Sequence, residues 1–512
     1  MSIFVRKVKT KSGATAVQII QKSGRQVVAV DHIGSAHSQA QLDLLIETAR
    51  KKVIGGQLPL FSEPKTKSSI LSLSAASLFL YQTLQGVYRR LMFNQLNDVV
   101  FEQLVIARLI EPSSKLDTIR ILDDLGLQPP SYTGIHRCLK RVIDDDYRHQ
   151  LAKLCFQASS PFNLSLLLYD VTTLYFETQQ EDEFRKSGLS KERRLEPQIV
   201  VGLLVDRSGF PLELHEFEGN LGETKTMIPV VKSFCERHHL DTNRLTITAD
   251  AGMLSSTNLD ELEAAGFSFI VGSRIAKTPY QIQEFKKTNP EEELLDGQIF
   301  ETTQSFGYKK EDKIKRRVIY QYKHKRAQLD LMNLKKQILK AKRIIAGQAP
   351  LKKSTFLTLT TTKPSLNHKL ILEHQLRAGI KGYVTNLPAP PKGTEDVASP
   401  LGLGVPAQEV VDNYHQLFQV EKSFRMSKSD LKARPIFHHK LDSIRAHLTV
   451  VFAALAIGRF VETQTKLSLK KFIHTLKVVR TSTLLINGEK TQVDPYVSPE
   501  ILSIVENLRS GY

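Results

Sequence analysis

The sequence predicts a multidomain protein whose main domain belongs to the mixed α/β class, and three observations support this prediction. The chain has 512 residues, which is more than one hydrophobic core usually organises, so roughly two to four domains are expected. Residues 74–156 place apolar side chains at helical spacing, which predicts a bundle of about four or five helices. From residue 164 onwards, short apolar runs alternate with helical patterns, as is typical of an α/β domain.

The N-terminal segment has the pattern of a small sheet followed by a helix. Residues 3–33 alternate apolar and polar side chains around two Ser-Gly pairs, which predicts a hairpin or a meander. A helix is expected over residues 39–52. Residues 55–65 have the composition of a linker, so a separate unit should begin after them.

The helical region that follows contains a candidate DNA-binding motif. Residues 115–125 and 132–143 read as two helices on either side of a Gly-Leu-Gln-Pro-Pro turn, and together they resemble a helix-turn-helix. The second helix would present Arg137 and Lys140 outwards, which favours contact with DNA. An ordinary helical hairpin with a basic face explains the same pattern, so both interpretations stay open.

The α/β region begins with strands and then alternates helices with strands. Three strands, a helix, a strand, a helix and a fifth strand follow one another, and this is the order of a ribonuclease H-like domain. The predicted elements are strands at 164–169, 198–205 and 212–217, a helix at 224–237, a strand at 245–249, a helix at 255–265 and a strand at 267–271.

A large insertion is predicted before the last helix of this domain. About 140 residues separate the fifth strand from that helix, which is far longer than an ordinary connection. The intervening segment has strand patterns at 317–323, 356–361 and 382–385 and a helical pattern at 327–346. It also carries a basic run, and we expect Arg316 and Arg317 within it to contact DNA.

The predicted fold class follows partly from these patterns and partly from a resemblance to a known family: it is α/β, with a ribonuclease H-like catalytic domain, a large insertion before its last helix, and a mostly helical N-terminal region. In the C-terminal tail, residues 481–486 and 490–493 flank Asn487-Gly488, which is a strong hairpin signal. The predicted boundaries are 1–60 for a β/α segment, 66–160 for the helical region, 161–275 with 405–460 for the catalytic domain, 276–404 for the insertion and 461–512 for the C-terminal region.

The composition indicates a soluble protein with a polyanionic partner. The net charge is +18, and such an excess favours nucleic acid over an acidic membrane surface. The three cysteines form no Cys-x-x-Cys pair and cannot form an even disulfide framework, so buried thiols in a reducing compartment are expected. We find no signal-peptide pattern, and the longest apolar stretches are too short for a membrane span.

Three carboxylates stand in apolar surroundings and are the candidate catalytic residues. Asp170 and Asp250 each follow an apolar run that reads as a buried strand, and ligands of α/β sheets gather at such strand ends. Read as one helix, residues 414–428 place Tyr414, Glu421 and Lys428 two turns apart on one face. Because a buried carboxylate needs charge compensation, three acids together predict a divalent-metal site for phosphoryl transfer.

These motifs resemble the DDE transposases of bacterial insertion sequences. Asp170 lies within Tyr-Asp-Val-Thr-Thr, and Asp250 lies within Ala-Asp-Ala-Gly-Met. The resemblance extends over residues 164–448 and includes the segments at 435–439 and 442–447.

The late helix is similar to the Tyr-x2-Arg-x3-Glu-x6-Lys signature of one group within that family. Tyr414, Glu421 and Lys428 match this signature in residue type and spacing. Leu417 stands where the group has arginine, so the role of that arginine is not carried over. We expect Leu417 to pack against the core, since its side chain cannot contact phosphate, and Arg425 is a candidate replacement.

The resemblance implies an activity, a cofactor and partners. Two Mg²⁺ ions, or Mn²⁺ ions in their place, would be coordinated by Asp170, Asp250 and Glu421. The metal site would support DNA cleavage at the transposon end, after which the freed 3′ hydroxyl attacks target DNA. The expected partners are double-stranded DNA, both at the transposon ends and at the target, and a second copy of the chain, with which it would form a synaptic complex. The expected location is the cytoplasm of a bacterium, at the nucleoid. The expected DNA contacts are Tyr414, Lys428, Arg425, Arg434, His438, Arg316, Arg317, Arg137 and Lys140.

Two other functions fit part of the pattern. A metal-dependent nuclease would use the same acids without joining strands, and strand-transfer products would distinguish the two. A DNA-binding protein that has lost catalysis would share the charge, but the presence of all three acids argues against it. A glycosidase with paired carboxylates fits poorly, because the chain is strongly basic and has no tryptophan.

Overall fold

A computed structural model describes most of the chain. The N-terminal part of the chain folds into a small β/α unit. Three antiparallel strands form its sheet, and a helix packs on the sheet around Val17, Ile19 and Ala49, which confirms the predicted meander and helix. These elements are β1 (Ser2–Lys9), β2 (Thr15–Ser23), β3 (Gln26–Ala36) and α1 (Gln39–Ile54). The described residues are 2–10, 14–24, 26–36, 38–54, 70–159, 164–178, 180–188, 196–307, 313–350, 355–359, 364–391, 404–486 and 489–510; the predicted linker at 55–65 lies outside them.

A strand and a set of helices make up the next region. Polar side chains begin several of the helices, because Asp98, Ser114 and Ser131 each accept a hydrogen bond from a backbone N–H of the helix that follows. The two helices predicted at 115–125 and 132–143 are present. The elements are β4 (Ile70–Ala76), α2 (Leu78–Arg90), α3 (Val99–Ile110), α4 (Lys115–Asp124), α5 (Tyr132–Asp144) and α6 (Tyr147–Ala158).

The strands of the α/β region pair in the ribonuclease H-like order. The first three strands form an antiparallel meander, and the fourth and fifth run parallel to the first, so the order across the sheet is β7-β6-β5-β8-β9. The predicted strand and helix sequence is therefore confirmed. The elements are β5 (Leu166–Tyr175), β6 (Gln198–Asp206), β7 (Pro211–Glu218), α7 (Met227–Arg237), β8 (Thr246–Ala249), α8 (Ser256–Ala264) and β9 (Ser268–Ser273).

Strands of the predicted insertion extend the same sheet. They add three antiparallel strands beyond β9, in the order β14-β11-β10, which gives a sheet of eight strands. The backbone of β9 therefore pairs on both sides instead of forming an open edge. The elements are α9 (Tyr280–Thr288), β10 (Ile299–Phe306), β11 (Ile314–Tyr322), α10 (His324–Ile345), β12 (Leu357–Leu359), β13 (Pro364–Leu366), α11 (His368–Leu376) and β14 (Ile380–Thr385).

The segment predicted as one helix over residues 414–428 is divided into three parts, so that prediction is wrong. The backbone N–H groups of Gln416 and Leu417 bond three residues back, which tightens the chain between two helices. A π-helix, Met426–Asp430, then continues the second helix. The two helices are α12 (Ala407–His415) and α13 (Phe418–Arg425).

The C-terminal part supplies the longest core helix and returns to the helical region. The helix Leu441–Thr465 is long and apolar enough to cross a membrane by length and composition, but most of its apolar stretch is buried inside the protein. The last two strands pair with each other, which confirms the predicted hairpin, although Asn487 and Gly488 lie outside the described residues. The first of them also pairs with β4, which the sequence did not predict. The elements are α14 (Leu441–Thr465), α15 (Leu469–Lys477), β15 (Thr481–Ile486), β16 (Glu489–Val493) and α16 (Pro499–Ser510).

Candidate active site

Two neighbouring parallel strands bring the two aspartates together. The register of β5 and β8 pairs Tyr169 with Ala249, and Asp170 and Asp250 are the residues that follow this pair in the chain. β8 ends at Ala249, so Asp250 lies at a strand end as predicted. Asp170 lies in the middle of β5, which continues to Tyr175 because residues 167–175 pair with β6. Both carboxylates therefore lie at the carboxyl end of β8.

The third acid reaches the same cavity from α13. A cavity of about 620 Å³ is lined by Asp170, Asp250 and Glu421 together with Tyr414 and Lys428. The interruption between α12 and α13 thus leaves Tyr414, Glu421 and Lys428 facing one space, although they do not share one helix. Lys428 lies in the π-helix, a local widening of the helix that often occurs at functional sites.

A hydrogen bond holds Asp250 in place. The hydroxyl of Tyr414 donates to Oδ1 of Asp250 at 2.9 Å. Burial and the charge of Asp250 raise the pKa of Tyr414 well above its ordinary value, so the hydroxyl keeps its proton and acts as a donor. Gly272 on β9 makes room for this contact, because a Cβ there would lie 2.6 Å from the Tyr414 oxygen. Tyr414 therefore positions one of the three carboxylates.

Lys381 on β14 is a cation of the site that our sequence analysis missed. It lines the cavity, and its Nζ lies 4.3 Å from the centre of the Tyr414 ring. Burial lowers the pKa of Lys381, while the charges of Asp250 and Glu421 act in the opposite direction. No local motif marks this residue, because its position depends on the pairing of β14 with β9.

Most of the DNA contacts predicted within residues 414–438 line this cavity. Arg425, Lys428 and Arg434 join Tyr414 there, and Arg425 is exposed. His438 does not line it but lies in a neighbouring cavity that shares Arg434. Arg137 and Lys140 are exposed on α5 and line neither cavity, so their role in DNA binding stays a prediction.

Leu417, at the position where the signature has arginine, is buried. It belongs to the main hydrophobic core and also forms part of the cavity wall. This agrees with the expectation that it packs against the core. Arg425, the candidate replacement, lines the same cavity from the last turn of α13.

The prediction that Arg316 and Arg317 bind DNA is wrong. Arg316 is only 2% exposed, and its guanidinium donates to Asp260 and Glu263 on α8. Arg317 donates to both carboxylate oxygens of Glu301 and to the carbonyl of Val405. The basic run becomes β11, an internal strand of the sheet, so these two side chains bind neighbouring elements instead of a ligand.

The donor set fits a hard divalent cation. Three carboxylates supply the oxygen ligands that Mg²⁺ prefers, and they surround one open cavity that leaves room for water and phosphate. Across the described part of the chain, no group of three His, Cys, Asp or Glu side chains is close enough to hold one ion together. The carboxylate oxygens are therefore the right type of donor for such an ion, but the three side chains do not form a closed cage, and an ion bound there would take most of its ligands from water or substrate.

The sheet has eight strands with a ribonuclease H-like centre, and three acids line one cavity beside it. The family model described as "Transposase DDE domain" matches residues 161–457, so the chain belongs to that family of transposases. No curated protein gives a significant match.

One solved structure found in the search is that of a transposase complex. It is the cryo-EM structure of the piggyBac transposase synaptic complex with hairpin DNA, and its TM-score to this chain is 0.36. The sequences are 10% identical, and the match covers 80% of this chain and 82% of that chain.

Proposed function

We propose that this protein is an insertion-sequence transposase that binds the terminal inverted repeats of its element and catalyses metal-dependent DNA cleavage and strand transfer. The observation that carries this proposal is the cavity in which Asp170, Asp250 and Glu421 meet, supplied by β5, the end of β8 and α13. Three distant parts of the sequence converge there, and each brings one carboxylate. A second candidate, a nuclease without strand transfer, would use the same cavity.

Asp170, Asp250 and Glu421 are the residues that would hold Mg²⁺, with Mn²⁺ as an alternative ion. When bound, such ions stabilise negative charge on the attacking and leaving oxygens of an in-line displacement at phosphorus. The chain itself contributes the placement of these ligands. Tyr414 fixes the orientation of Asp250 through its hydrogen bond, and β8 and β5 hold the two aspartates side by side.

Cations around the acids would bind the DNA backbone. Arg425, Lys428 and Arg434 line the cavity from the π-helix and its flanks, where they would contact phosphates on either side of the scissile bond. Lys381 lines the same cavity, with its Nζ above the Tyr414 ring. Together these cations would hold a phosphodiester against the carboxylates, which supports in-line attack by fixing its orientation.

The charge of the whole chain supports DNA as the substrate. The net charge of +18 favours association with a polyanion, and binding should weaken steeply as salt rises. We propose that two copies assemble with both transposon ends, in the cytoplasm of a bacterium at the nucleoid. The cysteines that the structure describes, Cys138, Cys155 and Cys235, are buried free thiols, which is compatible with a reducing compartment.

The test replaces each acid with its amide and measures strand cleavage with Mg²⁺ on a plasmid that carries the DNA flanking the gene. Asp170→Asn, Asp250→Asn and Glu421→Gln should each lower cleavage by more than about 100-fold, because loss of even an outer-shell partner of a metal typically costs about 10–100-fold. Asp412→Asn is the matched control, since Asp412 is an exposed acid of α12 that lines neither cavity. Circular dichroism should show that all four variants fold.

The outcomes separate the candidate functions. Wild-type cleavage in any one of the three acid variants would remove that residue from the site. Cleavage without strand-transfer products would identify a nuclease, and DNA binding without cleavage by the wild-type protein would identify an inactive DNA-binding protein.

A further inference from the structure

A second cavity, of about 560 Å³, lies between the helical region and the segment that follows the π-helix. Helices α3, α4 and α5 form one wall, and residues 432–438 with α14 form the other. Arg434 lines both this cavity and the catalytic one. The backbone N–H of Ile436 donates to the carbonyl of Tyr175 at 3.1 Å, which fixes the segment at the end of the strand that carries Asp170. The second cavity is therefore a continuation of the catalytic site.

The charge of this cavity is of one sign. Arg108, Lys115, Lys432 and Arg434 line it, and no acidic residue is among the side chains that form its described wall. A phosphate group would compensate the charges of Lys115 and Lys432 directly, whereas an apolar peptide would bring them no negative charge, which is unfavourable in a partly enclosed space.

Aromatic side chains accompany the cations. Phe437 is 67% exposed, and Tyr132 on α5 is also exposed, yet both belong to the wall of the cavity. Exposed aromatic side chains beside positive charge are the combination with which proteins bind unpaired nucleotides, because a base stacks on the ring while the phosphate meets the cation. A cavity of this size accepts a small ligand such as one nucleotide, whereas a double helix cannot enter it.

A hydrogen-bonded bridge connects the elements that form the wall of the cavity. Arg108 can only donate, so Nδ1 of His447 accepts its hydrogen bond at 2.9 Å, and the opposite nitrogen, Nε2, donates to the carbonyl of Ala433 at 3.2 Å. Burial and the nearby Arg108 hold the pKa of His447 well below its ordinary value, which keeps the ring neutral in this bridging role. The bridge joins α3, α14 and the segment before Phe437, so it connects three of the elements that form the cavity wall.

We infer that this second cavity binds an unpaired nucleotide of the DNA strand that leaves the catalytic cavity past Arg434, with its base against Phe437 or Tyr132 and its phosphate near Lys115 and Lys432. The inference rests on the proposed function, because it requires DNA in the catalytic cavity. It adds a subsite for single-stranded DNA to a protein whose substrate is a duplex.

The experiment compares two DNA probes that differ only at one end. One is a blunt duplex of the DNA flanking the gene, and the other is the same duplex with a short oligothymidine overhang that contains 5-iododeoxyuridine. Fluorescence anisotropy gives the affinity for each, and irradiation followed by mass spectrometry identifies the side chain that crosslinks to the overhang. The wild-type protein should prefer the overhang probe and should crosslink at Phe437 or Tyr132.

Phe437→Ala should reduce this preference about tenfold, which is the size of one base–aromatic stacking contact. The matched control is Tyr280→Ala, because Tyr280 is 68% exposed on α9 and lines neither cavity. This control should keep the preference of the wild-type protein.

The results that would overturn the inference can be distinguished from one another. Equal affinity of the wild-type protein for the two probes, or crosslinking only outside the second cavity, would refute the nucleotide subsite and leave the proposed function standing. Failure of the wild-type protein to bind either probe would refute both. A preference that Phe437→Ala and Tyr280→Ala reduce equally would also refute it, since the loss would then not be specific to this cavity.

Discussion

Replacing Arg316 with glutamine should destabilise the protein without weakening its contact with DNA. Arg316 lies on β11 and donates to Asp260 and Glu263 over distances of 2.6 to 2.9 Å. Its guanidinium also lies 5.9 Å from the ring centres of Phe269 and Phe306. Burial by itself would lower the pKa of Arg316, but the hydrogen bonds and charges of Glu263 and Asp260 raise it, so the group is a charged structural element.

The size of the expected loss in the free energy of unfolding depends on the carboxylates that Arg316→Gln leaves without their charged partner. Removal of one partner of a buried ion pair typically costs about 3–5 kcal/mol, because the remaining charge loses its compensation. Here the side chains of Asp260 and Glu263 are partly exposed and can recover some hydration. Glutamine also keeps one hydrogen-bond donor near them. We therefore expect the free energy of unfolding to fall by about 2–4 kcal/mol.

The assay is urea unfolding followed by far-ultraviolet circular dichroism, since the chain contains no tryptophan for fluorescence. Lys315→Gln is the matched control, because Lys315 is the preceding residue of the same strand and is exposed. The control should change the free energy of unfolding by less than about 0.5 kcal/mol. DNA affinity of both variants is then measured over a range of salt concentrations.

A defined result would refute this reasoning. If Arg316→Gln is as stable as the wild-type protein, and the slope of log affinity against log salt becomes shallower by about 0.9, then Arg316 contacts one phosphate and does not support the sheet. If stability falls and the slope stays constant, the role of Arg316 as an internal ion pair is supported.

Three further predictions concern the catalytic segment and its surroundings. Lys428→Ala should lower end-specific binding or cleavage with little change in melting temperature, since Lys428 lines the cavity beside Glu421. Leu417→Ala should lower the free energy of unfolding by about 2–5 kcal/mol because the side chain is buried; a stable and more active Leu417→Arg would contradict this packing. Burial and nearby cations lower the pKa of His438 from 6.5 to about 4. Between these pH values the imidazole is protonated in the unfolded chain but neutral in the folded protein, so the free energy of unfolding should fall as pH drops from 6.5 towards 4. His438→Gln should show a smaller fall in melting temperature over this range.

The elements and acids that could be predicted from the sequence are those with a local cause. The alternation of apolar runs with helical spacing predicts β5 to β9 with α7 and α8 between them, because burial of one face imposes a period on the chain. Asp170, Asp250 and Glu421 could be predicted because each is a charged side chain that interrupts or follows an apolar run. The serine and aspartate caps of α3, α4 and α5 are likewise local.

Only the tertiary structure shows which side chains become partners of one another, because these contacts depend on strand pairing and on where charges are buried. Arg316 lies in a run of basic residues that looks like a DNA-binding surface, and only the position of β11 inside the sheet places it against the acids of α8. Lys381 has no motif, and the pairing of β14 with β9 brings it to the cavity of the candidate active site. The sequence carries the periodicity of each element, but electrostatic partners are set by contacts between residues far apart in the chain, and no local pattern encodes those contacts.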